Sequence, residues 1–238
     1  MNHAFDDRLE EVRGRIARAC EAAGRDLDEV TLIAVTKTQP DATVRGAIDA
    51  GLLDLAENRV QELTRRLAVL EGPEAGRVRW HLVGRLQRNK VKDVVGRVAL
   101  IHSIDREELV DRVAAVADAA GIVQRVLIQV NVGDDPAKGG CSLDRLEELV
   151  TYASGPPAVD VVGLMTVPPL PPPGGRAEDT AAPCFRRLRE ERDRLRVRFP
   201  GLEELSMGMS DDLEVAVREG ATMVRIGSAL FGQRAEVA

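Results

Sequence analysis

The chain is poor in the residues that mark several large function classes. Its three cysteines, Cys20, Cys141 and Cys184, show no metal-type spacing. So sparse and odd a set fits reduced thiols in a cytoplasmic protein. No P-loop and no Ser-His-Asp order is present. No apolar run reaches the length of a membrane-spanning helix. The first residues, MNHAFDDRLEEVRGRI, are charged and helical in pattern, so a signal peptide is not expected. The net charge is −6 and the positive residues are spread along the helices, which leaves no basic stripe for nucleic acid. The first apolar strand ends VTKTQP, without glycine. An open dinucleotide-binding sheet would carry a Gly-rich fingerprint there.

What the chain does have is regular alternation over 238 residues, with an ordinary hydrophobic share of 44%. Phe5, Leu9, Val12, Ile16 and Ala19 recur at three- and four-residue steps, which predicts a helix over residues 4–23 stopped by Gly24. Strands are predicted at 31–37, 52–56, 79–84, 98–104, 124–131, 159–167, 203–207 and 222–226. Helices are predicted at 41–50, 58–71, 87–96, 106–120, 142–154, 183–198 and 211–220. Eight strands with intervening helices predict an α/β fold, a (β/α)8 TIM-like barrel, at a length typical of one such domain. Residues 1–238 are read as a single domain, with 1–24 an extra N-terminal helix packed on the barrel. The segment 168–182, PPLPPPGGRAEDTAA, is too rich in proline and glycine for helix or strand and is read as a solvated surface loop.

In a barrel the chemistry gathers at the C-terminal strand ends. Polar groups fall there repeatedly: Lys37, Glu57 and Asn58, His81, His102, Asn131, Thr166, then two Ser/Gly turns. The first turn holds Ser206, Gly208 and Ser210; the second holds Gly227 and Ser228. Two such turns on neighbouring strands can aim several N–H and O–H donors at one phosphate dianion. A strand-end lysine usually reaches into water. Lys37, however, shares its face with Ile33 and Val35, so it is expected to point into the barrel mouth, where an amine among apolar groups becomes a nucleophile. A phosphate cradle facing such a lysine suits a phosphate-bearing aldehyde held as an imine, the chemistry of pyridoxal 5′-phosphate (PLP). The plainer readings are explicit. Ser210 is by default the N-cap of the helix over 211–220. His81 and His102 are by default hydrogen-bonded structural histidines. Arg225 sits in an apolar strand and needs a partner if buried.

The motifs VTKTQP, ENRVQE, WHLVGRLQRNK, IHSID, VLIQVNVGDD, GLMTV, LSMGMSDD and VRIGSALFG run in this order over nearly the whole chain. As a set they closely resemble the PLP homeostasis proteins. The resemblance implies a fold like the barrel domain of alanine racemase, with PLP on Lys37. It implies phosphate contacts from Ser206, Ser210, Gly227 and Ser228, Arg225 at the pyridine nitrogen, and a pocket lined by Asn58, His81 and Met209. It implies a carrier that buffers PLP or delivers it to PLP-dependent apo-enzymes, with no catalytic residues and no metal. The chain departs from the pattern at Ala56, where glycine is usual, at Arg59, where an aromatic is frequent, and at Arg85, where histidine is frequent. Racemase-like enzymes also need a second, β-rich domain that supplies a tyrosine base. The only tyrosine here, Tyr152, falls in a predicted helix, so an open, catalytically weak pocket on a monomer is expected. The alternatives are a weak racemase-like PLP enzyme and an aldolase-type barrel whose lysine acts directly on a sugar phosphate.

Overall fold

A computed structural model describes residues 3–70 and 75–232. Eight parallel strands close into a barrel in sequence order: β1 (Thr31–Val35), β2 (Asp54–Glu57), β3 (Arg79–Leu82), β4 (Leu100–Ile104), β5 (Gln124–Gln129), β6 (Val159–Met165), β7 (Glu204–Ser206) and β8 (Met223–Ile226). The ring closes between β1 and β8, where Ile33 pairs with Arg225. Side chains alternate across each strand, so one set fills the barrel and the other meets the helices. Ile33, Val35, Ala56, Leu100, Leu127, Met165 and Met223 belong to the inner apolar cluster. A larger cluster lies between strands and helices.

The helices are α1 (His3–Ala23), α2 (Asp41–Asp49), α3 (Val60–Val69), α4 (Glu107–Ala119), α5 (Leu146–Ala153), α6 (Ala177–Arg196), α7 (Leu213–Arg218) and α8 (Ser228–Phe231). All five expected apolar positions of α1 are buried, and the helix packs on α7 and α8. It ends at Gly24, whose φ of +64° is the left-handed conformation that glycine adopts without strain.

Four local expectations differ from the structure. Residues 87–96 do not form an α-helix: a 3-10 segment spans Arg88–Asp93, although the buried Val91, Val94 and Val95 keep the three- and four-residue spacing that predicted a helix. The segment before α5 likewise begins as a 3-10 turn, Leu143–Arg145. Helix α6 starts at Ala177, inside the stretch read as loop, and contains Pro183. Glu178 and Asp179 in its first turn complement the helix dipole. The second Ser/Gly turn runs directly into α8.

Candidate functional site

The β1 ladder stops at Val35, so Lys37 lies in a turn beyond it, with Thr38 held at a φ of +65°. The turn is braced from below by Arg66 of α3, which is fully buried. Its guanidinium donates to Glu57 Oε1 at 3.2 Å, to the Thr36 carbonyl at 3.3 Å, and to the Gln39 carbonyl and Asp41. The Thr36 hydroxyl adds a 2.6 Å bond to Glu57 Oε1. Burial pushes the Glu57 carboxyl above its usual range, against the pull of Thr36 and Arg66. Nothing in the sequence marked Arg66: on a helix its charge looks like any surface arginine.

Lys37 opens onto a cavity of about 440 Å³ at the C-terminal mouth. The same cavity is lined by Asn58, Met209, Ser210, Arg225, Gly227 and Ser228. Seven of the nine expected residues are thus brought together. Asn58 is fixed by close packing of the neighbouring loop, since a side chain at Gly84 would place its Cβ 1.9 Å from the Asn58 carbonyl oxygen.

At one end of the cavity the two Ser/Gly turns meet. The Ser228 hydroxyl donates to Ser210 Oγ at 3.0 Å, and the Ala229 N–H reaches the same oxygen at 3.2 Å. Contrary to the default reading, Ser210 does not cap the following helix; α7 begins at Leu213, after Asp212. Arg15 of α1 ties this corner down, donating to the Ser210 carbonyl at 2.9 Å and to Glu214 at 2.6 Å. Asp211 lines the cavity, whereas the buried Asp212 takes the Met209 N–H at 2.5 Å. Burial raises the Asp212 carboxyl, and Arg225 partly offsets that.

Arg225 is buried in the barrel wall. Its guanidinium donates to Ser206 Oγ at 2.7 Å and to the Thr166 carbonyl at 2.9 Å. Burial pushes its pKa down to about 10, with Asp212 opposing the fall.

Two expected lining residues lie elsewhere. Ser206 is fully buried behind the cavity, and its hydroxyl is engaged by Arg225 and by His102 Nδ1 at 2.9 Å. His81 is also in the barrel interior, 3.0 Å from His102 through Nδ1 and 3.2 Å from Asp54 through Nε2. Their partners come from other strands, well separated along the chain, so local sequence gave no sign of the pairing. Burial, then His81 and Arg225, hold the His102 pKa well below the ordinary histidine value. Neither histidine lines the cavity, and Tyr152 is on α5, bonded to Asp111 at 2.7 Å. The three cysteines are buried free thiols. Among the described residues no cluster could hold a metal ion.

A family model described as the alanine racemase N-terminal domain matches residues 8–235. The pyridoxal phosphate homeostasis protein of Aquifex aeolicus is 46% identical over 230 residues, 96% of this chain and 97% of that protein. The chain belongs to this family. The protein of the same name from Pseudomonas aeruginosa is 41% identical over 228 residues, covering 96% of this chain and 95% of its own. Among solved structures, PipY of Synechococcus elongatus with PLP bound superposes with a TM-score of 0.81 at 34% identity, over 96% of this chain and all (100%) of that one. An alanine racemase from Clostridium difficile shares the fold at a TM-score of 0.72 and 15% identity, and the match covers 97% of this chain but 58% of the racemase.

Proposed function

We propose that the chain binds PLP in the cavity as an imine with Lys37, and buffers it or delivers it to PLP-dependent apo-enzymes. The observation that carries this reading is that Lys37, Arg225 and the joined Ser210–Ser228 corner open onto one cavity. Its 440 Å³ is within the range of pockets that hold small ligands. The hydroxyls of Ser210 and Ser228 suit a phosphate, and the Lys37 amine in the same cavity suits its aldehyde. Arg225 suits the ring nitrogen: it donates only and disfavours a second positive charge beside it. PLP supplies an electron sink to reactions when its ring nitrogen is protonated. An arginine there keeps that chemistry weak, which fits a carrier. The relatives' name and the PLP-bound PipY support the same ligand. No described helix is long and apolar enough to cross a membrane. Action as a cytoplasmic monomer belongs to the same proposal and rests on the sequence reading.

The test is a spectral titration. PLP added to the protein should give a visible imine band that saturates, and Lys37→Ala should lose it. L-alanine in deuterium oxide should gain α-deuterium no faster than with free PLP. A Lys37→Ala protein that keeps the band, or rapid α-deuteration by the wild type, would favour the racemase alternative or another site.

A further inference from the structure

A line of hydrogen bonds crosses the barrel interior from the cavity to the opposite end. It runs from Arg225 to Ser206 at 2.7 Å, to His102 at 2.9 Å, to His81 at 3.0 Å and to Asp54 at 3.2 Å. Asp54 opens β2 and Arg79 opens β3, so the far end of the line lies at the N-terminal face. Arg79 is largely exposed and holds both Asp54 oxygens.

With both imidazoles neutral, the Asp54 carboxylate at one end allows only one sense. A guanidinium can only donate, so Ser206 Oγ must accept from Arg225. Ser206 then spends its own proton on His102 Nδ1. His102 carries its proton on Nε2 and gives it to His81 Nδ1. His81 carries its proton on Nε2 and gives it to Asp54, which can only accept. Reversing His81 would set a lone pair against the Asp54 carboxylate, and reversing His102 alone would set one against His81 Nδ1, each a buried clash of acceptors.

We propose that Asp54 is a positioning residue for Arg225, acting through His81, His102 and Ser206. The carboxylate polarises the line in one direction and leaves the Ser206 oxygen free to hold the guanidinium at the cavity wall. The consequence for PLP rests on the reading of the cavity given above; the proton positions do not.

The test has two arms. In ¹⁵N-labelled protein without PLP, long-range proton–nitrogen spectra resolve the tautomers of the three histidines. His81 and His102 should both be pure Nε2–H forms. Asp54→Asn, whose amide can donate as well as accept, should turn His81 into a mixture of tautomers. In the second arm, Asp54→Asn and Ser206→Ala should each weaken PLP binding by about threefold to tenfold, the scale of one hydrogen bond. The exposed Asp118→Asn should bind as the wild type does. An Nδ1–H or imidazolium form at either buried histidine of the wild type would overturn the proposal. So would an Asp54→Asn protein with unchanged tautomers and PLP affinity. Failure of the wild type to bind PLP would strike the cavity reading alone, because the tautomers still decide the relay.

Discussion

Ser210 and Ser228 follow different strands, yet their hydroxyls lie 3.0 Å apart and face one cavity. If that corner holds the phosphate, Ser210→Ala or Ser228→Ala should each cost about 1–3 kcal/mol of PLP affinity through lost charge-assisted hydrogen bonds. Neither change should alter binding of pyridoxal, which lacks the phosphate. Spectral titrations of both ligands measure this, and equal losses for the two would contradict it. Gly208, between the Ser/Gly turn residues, is constrained differently: its φ is +94°, and an added Cβ would sit 2.4 Å from the Ala216 Cβ. Gly208→Ala should therefore destabilise the fold by about 1–3 kcal/mol, read from urea unfolding, and a neutral result would remove this argument. At this scale the sequence was legible where chemistry is local. The parity of Lys37 with Ile33 and Val35, and the Ser/Gly turns, pointed to the cavity. Ser206 and His81 do not line the cavity; their partners are on other strands, and only the closed barrel shows that those side chains meet.

Among the elements, the β1–α2 turn depends on α3. Arg66 is buried between Glu57 and the turn that bears Lys37, and Glu57 Oε2 has no partner among the described residues. Removing the cation would strand a buried carboxylate. Arg66→Met should cost about 3–5 kcal/mol in urea unfolding, and a loss below about 1 kcal/mol would mean the pair is readily replaced by packing. The element pattern itself was readable: α1 from its apolar stripe and Gly24, the strands from their apolar runs. The failures have local causes. Residues 88–93 and 143–145 wind as 3-10 turns, a difference of one hydrogen-bond step that periodicity does not resolve. The Pro- and Gly-rich stretch before residue 183 reads as loop and so predicts that α6 starts there, but the helix begins at Ala177 and carries the exposed Pro183 in its second turn.

For the whole molecule, the barrel was foreseeable from eight alternations and from the missing Gly-rich fingerprint. Its interior was not, because a polar relay replaces part of the apolar filling. That relay makes stability depend on pH. The folded-state pKa of His102 lies below the unfolded value, so the unfolded chain binds a proton that the folded chain refuses. Its contribution is complete above the ordinary histidine pKa and is lost as pH falls below it, by up to about 1.4 kcal/mol per pH unit. For Asp54, burial alone would raise the pKa, but the bonds from His81 and Arg79 outweigh it and lower it. Its stabilisation is lost at still lower pH, as the carboxylate is protonated. Glu57 and Asp212, raised by burial, act in the opposite sense and lose stability as pH rises through the acid range. Urea unfolding between about pH 7 and about pH 5 should show a decline that His102→Gln flattens. A wild-type curve without slope in that window would contradict the neutral buried histidine.

The central claim is that Lys37 carries PLP. Borohydride reduction of the PLP-loaded protein, followed by digestion and mass mapping, tests it most directly. A pyridoxyl group fixed on Lys37 is the expected result; a label on another lysine, or none on a protein that holds PLP, would contradict it.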